Sequence, residues 1–334
     1  MAFELGALIK DFGDPAAEAR ACRQSCALFD FSFLECARLQ GRRARDTLEA
    51  FAGRSLDALA ENTIRYAVRL DAAGNAVADL TIWRLDRQTF EVMSGRREDI
   101  TALLALAGPE LEVMDLTAER ATFAVQGPAS LDALCKIGDV AAIRQLKYFE
   151  FGRADLAGIA CTVGRLGYTG EAGFEIIVAR AQAGELWRAL VPHVRPAGFG
   201  PADMLRIEAG LLLFTNELAL PVSPAEVGLA RFHRAEVTHE PAITLISFGA
   251  EADALSWPWQ PLRAPPRPTQ PGELAVTSAC HSIVAGGILG LGYVLADTPA
   301  DMPLRDPDGV FRNIRRTAMP FYDTAKRRPR ALWR

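Results

Sequence analysis

The sequence predicts a mixed α+β fold, and three observations carry that prediction. Residues 64–85 alternate apolar and polar side chains around a short polar turn, helical spacing recurs at intervals up to residue 214, and Gly272 to Tyr322 is strand-rich with Gly and Pro turns. At 334 residues the chain is long enough for two or three domains of about 100–200 residues each.

In order, Glu18 to Phe29 has helical spacing, with Ala21, Cys22, Cys26, Leu28 and Phe29 apolar. Ile64, Tyr66, Val68 and Leu70 alternate with Arg65, Ala67 and Arg69, the period of a half-buried strand. Asp71-Ala-Ala-Gly74-Asn75 reads as a turn, and Val77 to Leu85 as the returning strand of a hairpin. Phe90 to Met93 is a third strand and Asp99 to Leu106 a helix. Thr122 to Val125 is a strand closed by Gln126-Gly127-Pro128, followed by a helix from Ala129 to Cys135. Strands at Ile159 to Val163 and Phe174 to Val178 flank a glycine-rich loop, and Gln182 to Val191 is helical. Gly200-Pro201-Ala202-Asp203 starts a helix that runs to about Phe214, because Pro suits a first turn and Asp accepts free amide hydrogens there. Six prolines between Trp257 and Pro271 exclude a regular element, so a linker or surface loop is expected.

Composition narrows the function. Half the residues are hydrophobic and 23% are charged, which excludes a largely disordered chain. Six irregularly spaced cysteines argue against a disulfide-stapled scaffold. A net charge of −4 is wrong for a strongly basic nucleic-acid binder. The charge is uneven: Arg312 to Arg334 carries eight basic residues against Asp323, a net of +7, leaving −11 for the remainder. Such a tail reads as a solvated end. Met1 to Lys10 has no secretory pattern. The long uncharged run Leu274 to Ala296 is broken by Gly286, Gly287, Gly290 and Gly292, so it reads as two strands of a soluble, cytoplasmic protein rather than a membrane helix.

Several chemistries lack their residues. The four histidines, His193, His233, His239 and His281, show no metal-ligand spacing, and no metal is expected. Cys22 and Cys26 share a helix face and read as buried thiols. No G-x-S-x-G elbow and no phosphate-cradling G-x-x-x-x-G-K-[ST] loop is present. Three features remain. On the hairpin strand, alternation puts Asp79, Thr81 and Trp83 on one face and Leu80 and Ile82 on the other. A carboxylate beside an indole suits the wall of a pocket for a flat ligand; a solvated edge with an incidental Asp gives the same pattern. In Gly164-Arg-Leu-Gly167-Tyr168-Thr-Gly170-Glu-Ala-Gly173-Phe-Glu175, glycine recurs every third residue, letting backbone approach a ligand closely. Glu175 there can accept two parallel hydrogen bonds from a planar edge; a decorated turn is the plainer reading. Asp203, Arg206 and Gly210 are neighbours on one helix, a weak signal alone.

In this order these segments resemble the aminomethyltransferase family, the folate-dependent T-protein of the glycine cleavage system and related demethylases. The matching stretches are Leu28-Phe-Asp30-Phe-Ser32, Gly74-Asn-Ala-Val-Ala-Asp79-Leu-Thr-Ile-Trp83, Ala124-Val-Gln126-Gly127-Pro128, Gly167-Tyr-Thr-Gly-Glu-Ala-Gly-Phe-Glu175, Leu205-Arg206-Ile-Glu208-Ala-Gly210 and Ser223-Pro224-Ala-Glu226-Val-Gly228-Leu229. The resemblance implies a three-domain cloverleaf around a central folate site. Its parts are a discontinuous first folate-binding domain (1–38 plus 140–235), a second α+β domain (39–139) and a small β-barrel-like carboxy-terminal domain (240–334) with a proline-rich linker (257–271) and a basic tail. It implies tetrahydrofolate as cofactor and Asp79 as the catalytic acid near folate N5. It makes Tyr66, Thr81, Trp83, Tyr168, Glu175, Arg206 and Phe214 cofactor-binding residues, with Arg206 near the anionic folate tail. Trp83 and Phe214 stand where the family often carries tyrosine. The activity implied is transfer of a methylene or methyl group from a small-molecule donor to N5, with a lipoyl carrier protein as a conceivable partner and no nucleic acid or membrane. A folate-dependent O-, N- or S-demethylase, and a non-catalytic folate-binding scaffold, are the alternatives.

Overall fold

A computed structural model describes residues 4–234, 240–255 and 265–333. Its strands form three separate sheets. The expected hairpin is present: β3 (Thr63–Leu70) and β4 (Ala76–Arg84) pair antiparallel. Their turn is fixed by the Asp71 carboxylate, which accepts from the Ala73 and Asn75 amides, and by Gly74 at φ +85°. With β5 (Thr89–Ser94), β2 (Glu35–Gln40) and β6 (Glu112–Asp115) they build a five-stranded sheet in the order β3-β4-β5-β2-β6. One face, with Leu39, Leu80, Ile82, Phe90 and Val92, is buried under α2 (Ala44–Ala52) and α3 (Arg97–Leu104) through Leu48, Ile100 and Leu103.

A six-stranded sheet has the order β11-β1-β7-β10-β9-β8. Its strands are β1 (Ala27–Asp30), β7 (Arg120–Gln126), β8 (Phe151–Leu156), β9 (Ile159–Gly164), β10 (Gly173–Ala179) and β11 (Arg195–Ala197). All pairings are antiparallel except β1 with β11. Leu28, Val125, Val163, Phe174 and Ile176 fill one face together with α4 (Ser130–Leu134), α5 (Ala141–Arg144) and α6 (Ala183–Leu190), through Leu131, Leu134, Ile143, Leu186 and Leu190. The other face carries Phe29, Ala124, Glu175 and Gly164, which lie opposite one another in the ladder. Helices α1 (Pro15–Gln24) and α7 (Phe199–Glu208) cover its β1 end.

The inner faces of these two sheets meet. Trp83 and Met93 from one and Phe151, Leu166 and Ile177 from the other share a core. Gly164 is required there, since a Cβ on it would lie 2.1 Å from Trp83 Cη2. The third sheet is four-stranded and antiparallel, in the order β13 (Ala275–Ser282), β14 (Gly287–Leu295), β12 (Ile243–Glu251), β15 (Arg312–Thr317). It packs on α7, and α8 (Phe214–Glu217) sits between it and β4.

The structure differs from the sequence reading at five places. The first helix stops at Gln24, and Ala27–Asp30 is a strand, because Leu28 and Phe29 are buried on opposite faces of a central sheet. The helix expected to reach Phe214 ends at Glu208, where Gly210 turns at φ +61°. Sheet membership changes at other points than 39 and 139: β2 begins at Glu35 in the five-stranded sheet, and β7 lies in the six-stranded one. The carboxy-terminal unit is a four-stranded sheet where a barrel-like domain was expected. The basic tail is docked: Trp333 stacks on Phe174 (5.5 Å between centroids), Arg165 donates to the Pro329 and Ala331 carbonyls, and Tyr322 donates to Glu171. Of the proline-rich stretch, 256–264 lies outside the described residues, and 265–271 forms no regular element. No helix among the described residues is long and apolar enough to cross a membrane.

Candidate functional site

Strand alternation builds the site. In the β3–β4 ladder Ile64 faces Trp83, Tyr66 faces Thr81 and Val68 faces Asp79, so all six side chains share the inner face of the five-stranded sheet. Asp79 and Trp83 are four residues apart, about 13 Å along the strand. Glu175 comes from the facing sheet, paired across the ladder with Gly164, which lies against Trp83. The two acids therefore stand at opposite ends of one row of side chains.

Asp79 is half-buried, and burial pushes its carboxyl up to about 6; the negative charges of Asp99 and Glu217 push the same way, while a hydrogen bond from Tyr66 opposes them. The Tyr66 ring packs edge-on against Phe232 at 4.9 Å. Tyr168 is electrostatically close to both Tyr66 and Asp79, and its hydroxyl donates to the Leu212 carbonyl. Thr81 accepts a 3.0 Å hydrogen bond from the Trp83 indole. Glu175 is 8% exposed, and burial alone drives its carboxyl up to about 7. Among the described residues no group hydrogen-bonds its side chain, an arrangement that is unfavourable unless something else fills the role.

Tyr66, Asp79, Thr81 and Tyr168 are thus brought together, and Glu175 lies at the Trp83 end. Phe214 lies beside the same strands, since a Cβ on Gly95 would come within 2.4 Å of its ring. Two residues differ from expectation. Trp83 is 1% exposed and enclosed by Phe151 and Leu166, so it supports the wall from behind rather than presenting a face to a ligand. Arg206 is completely buried, donating to Asp203 (2.8 Å), Glu217 (2.7 Å), Ser278 (2.6 Å) and the Leu211 carbonyl (3.2 Å). Opposite charges outweigh its desolvation and hold it protonated. Its donors face protein, which is the physical reason it is not open to an anionic tail.

Sequence reasoning missed Glu217 and Tyr148. Glu217 clamps Arg206 and acts on Asp79, yet nothing local marks it. Tyr148 is close to Glu175, and its aromatic run, Tyr148-Phe149-Glu150-Phe151, was the available signal. A separate cleft of about 560 Å³ is lined by Phe12, Phe29, Phe31, Trp187 and Phe199, with Arg97 and Arg180 at its edge. None of the expected site residues lines it. Arg97 is already paired with Glu35 and Asp115, and Arg180 donates to the carbonyls of Ser32 and Thr117. Large volume and perturbed chemistry therefore lie in different places, and the titratable cluster is the better guide to reactivity. Among the described residues no group of three or more His, Cys, Asp or Glu side chains is placed to hold a metal ion.

Comparison with known proteins gives a consistent answer. Residues 11–236 match the sequence profile of the GCVT N-terminal domain. An aminomethyltransferase from Thermoanaerobacter sp. (strain X514) is 33% identical over 236 residues, covering 68% of this chain and 64% of that protein. An aminomethyltransferase from Aquifex aeolicus is 35% identical over 217 residues, covering 64% and 59%. The chain thus matches somewhat less than two thirds of the length of these relatives. In fold it is similar to the glycine cleavage system aminomethyltransferase T of Bartonella henselae, with a TM-score of 0.68 at 24% identity over 84% of this chain and 81% of that one.

Proposed function

The chain belongs to the aminomethyltransferase family defined by the GCVT N-terminal domain, and on that premise we propose that it is a tetrahydrofolate-dependent one-carbon transferase. The observation that carries the reading is Glu175: a buried carboxyl with no described hydrogen-bond partner, in the same row as a second, half-buried carboxyl, Asp79. A reduced pterin is flat and offers a ring N–H beside an amino group, two adjacent donors that match a carboxylate. The residues present therefore fit such a group. Tetrahydrofolate, when bound, supplies a nitrogen nucleophile that accepts the one-carbon unit.

The protein's own part is binding, orientation and proton handling. Glu175 accepts the paired donors, and because burial disfavours its charge in the free protein, donors that favour the ionised form are selected over apolar molecules of the same shape. Tyr66 and Tyr168 provide aromatic surface at the other end. Asp79, with its carboxyl raised towards neutrality, holds or releases a proton at the transfer nitrogen, a role typically worth about 10²–10⁴-fold. Tyr66, diagonally across from Asp79 in the ladder, favours its ionised form. Thr81, already accepting from Trp83, keeps its own hydroxyl hydrogen for a further acceptor. Arg206 acts as a positioning residue by tying α7 to α8 and the third sheet. The donor is a small molecule carrying a methylene or methyl group.

The test is direct binding of tetrahydrofolate, followed by single-turnover formation of methylene- or methyl-tetrahydrofolate with candidate donors. Binding to the unaltered chain, with Glu175→Gln weakened at least tenfold, is the expected result. Absence of binding, or equal binding by the variant, removes the reading.

A further inference from the structure

The five-stranded sheet ends in the edge strand β3, and a group of cations that no described acid pairs lies near it. Arg54 and Arg231 both lie over the Phe232 ring, at 5.0 and 4.6 Å from its centroid, and the same ring packs on Tyr66. Arg65 on β3 is electrostatically close to Arg54. The docked tail adds Lys326, close to Arg231 and Arg330, while Arg330 donates to the Lys326 carbonyl and lies close to Tyr148, the neighbour of Glu175. Among the described residues no Asp or Glu forms a salt bridge to any of these cations. Other arginines are matched by acids, among them Arg23 by Glu171 and Glu208 and Arg97 by Glu35 and Asp115. Arg54 Nη1 is buried with no hydrogen-bond partner. Burial and the neighbouring positive charges also disfavour protonation of both Arg54 and Lys326. A group of unmatched guanidinium and ammonium donors is complementary to negative charge, and planar Arg forks suit oxyanions in particular.

We propose that Arg54, Arg65, Arg231, Lys326 and Arg330 form a binding site for a multivalent oxyanion, and that the bound anion fastens the carboxy-terminal tail beside Tyr66 and Tyr148. This goes beyond the proposed transfer reaction and does not need it. Phosphate oxygens and clustered carboxylates present the same chemistry, and the two are separable by experiment.

The full-length chain, without folate, is titrated calorimetrically with sodium pyrophosphate and separately with a linear triglutamate peptide, at ionic strength fixed with sodium chloride. At least one probe is expected to bind with one-to-one stoichiometry. Arg231→Ala and Lys326→Ala are each expected to weaken it about tenfold, and Lys326→Arg to weaken it less than threefold. Binding should also slow hydrogen exchange of the amides at 323–333 several-fold. Pyrophosphate binding marks a phosphate-type ligand and triglutamate binding a carboxylate chain; either supports the site. Failure of both probes to bind, binding indifferent to both alanine variants, or unchanged exchange in the tail overturns it. Because folate is absent throughout, this outcome is separate from the outcome of the folate-binding test.

Discussion

The Asp79–Glu175 row and the Arg206 network are both polar and largely enclosed, yet they treat their charges oppositely. Around Arg206 the donors meet Asp203, Glu217, Ser278 and a carbonyl, and Glu217 in turn accepts from Thr277, Ser278 and the Leu213 amide. In the row, Glu175 meets no described donor, and Asp79 has its charge resisted by burial. A satisfied network holds elements in register; an unsatisfied one leaves room for a ligand to complete it. The family resemblance places Arg206 near an anionic ligand tail, and its surroundings put it in the satisfied class.

Variants widen or close that gap. Asp79→Asn should lower single-turnover rate by about 10²–10⁴-fold while tetrahydrofolate still binds; an unchanged rate removes Asp79 from the mechanism. Arg206→Met should lower unfolding free energy by roughly 3–5 kcal/mol, because Asp203 and Glu217 are left buried and unpaired. Denaturant titration checks this, and a loss under 1 kcal/mol means the network is not structural. Glu175→Gln should do the reverse. Burial raises the carboxyl in the folded state from 4.5 to about 7, so its protonated form favours the fold. That contribution is whole below about pH 4.5 and gone once the pH rises past about 7. At pH 8 the glutamine variant should therefore be more stable, by roughly 3 kcal/mol or less, and bind folate worse. Equal or lower stability at pH 8 contradicts an unpartnered Glu175. Ligand donors require ionised Glu175, so affinity of the unaltered chain should fall by up to tenfold per pH unit below about 7, a trend that Glu175→Gln flattens. The smallest effect expected is Trp333→Ala, about 1–2 kcal/mol from lost half-buried contact with Phe174.

Much of this was legible in residue order. The alternation of Asp79, Thr81 and Trp83 gave the face they share, and the glycine loop gave Glu175 a strand start. Periodicity failed at Leu28 and Phe29, where a four-residue strand buried on both faces carries the same apolar run as a helix end. Spacing was silent on Arg206, because Glu217 and Ser278 reach it through the fold. Tail docking was equally hidden: composition reported charge, while Trp333 finding Phe174 is a tertiary event.

The path of the chain through its sheets has a consequence for synthesis. The five-stranded sheet has every strand once residue 115 has been made, whereas β1 at Ala27–Asp30 lies between β7 and β11 and waits until residue 197 for its second neighbour. On a ribosome adding about 5–20 residues per second, the earliest apolar strand stays without one partner for roughly 4–16 s after the last strand of the five-stranded sheet has been made. Strand β1 is thus the part of the two larger sheets that waits longest for its neighbours, and a chaperone that shields nascent chains would find a long-lived target there.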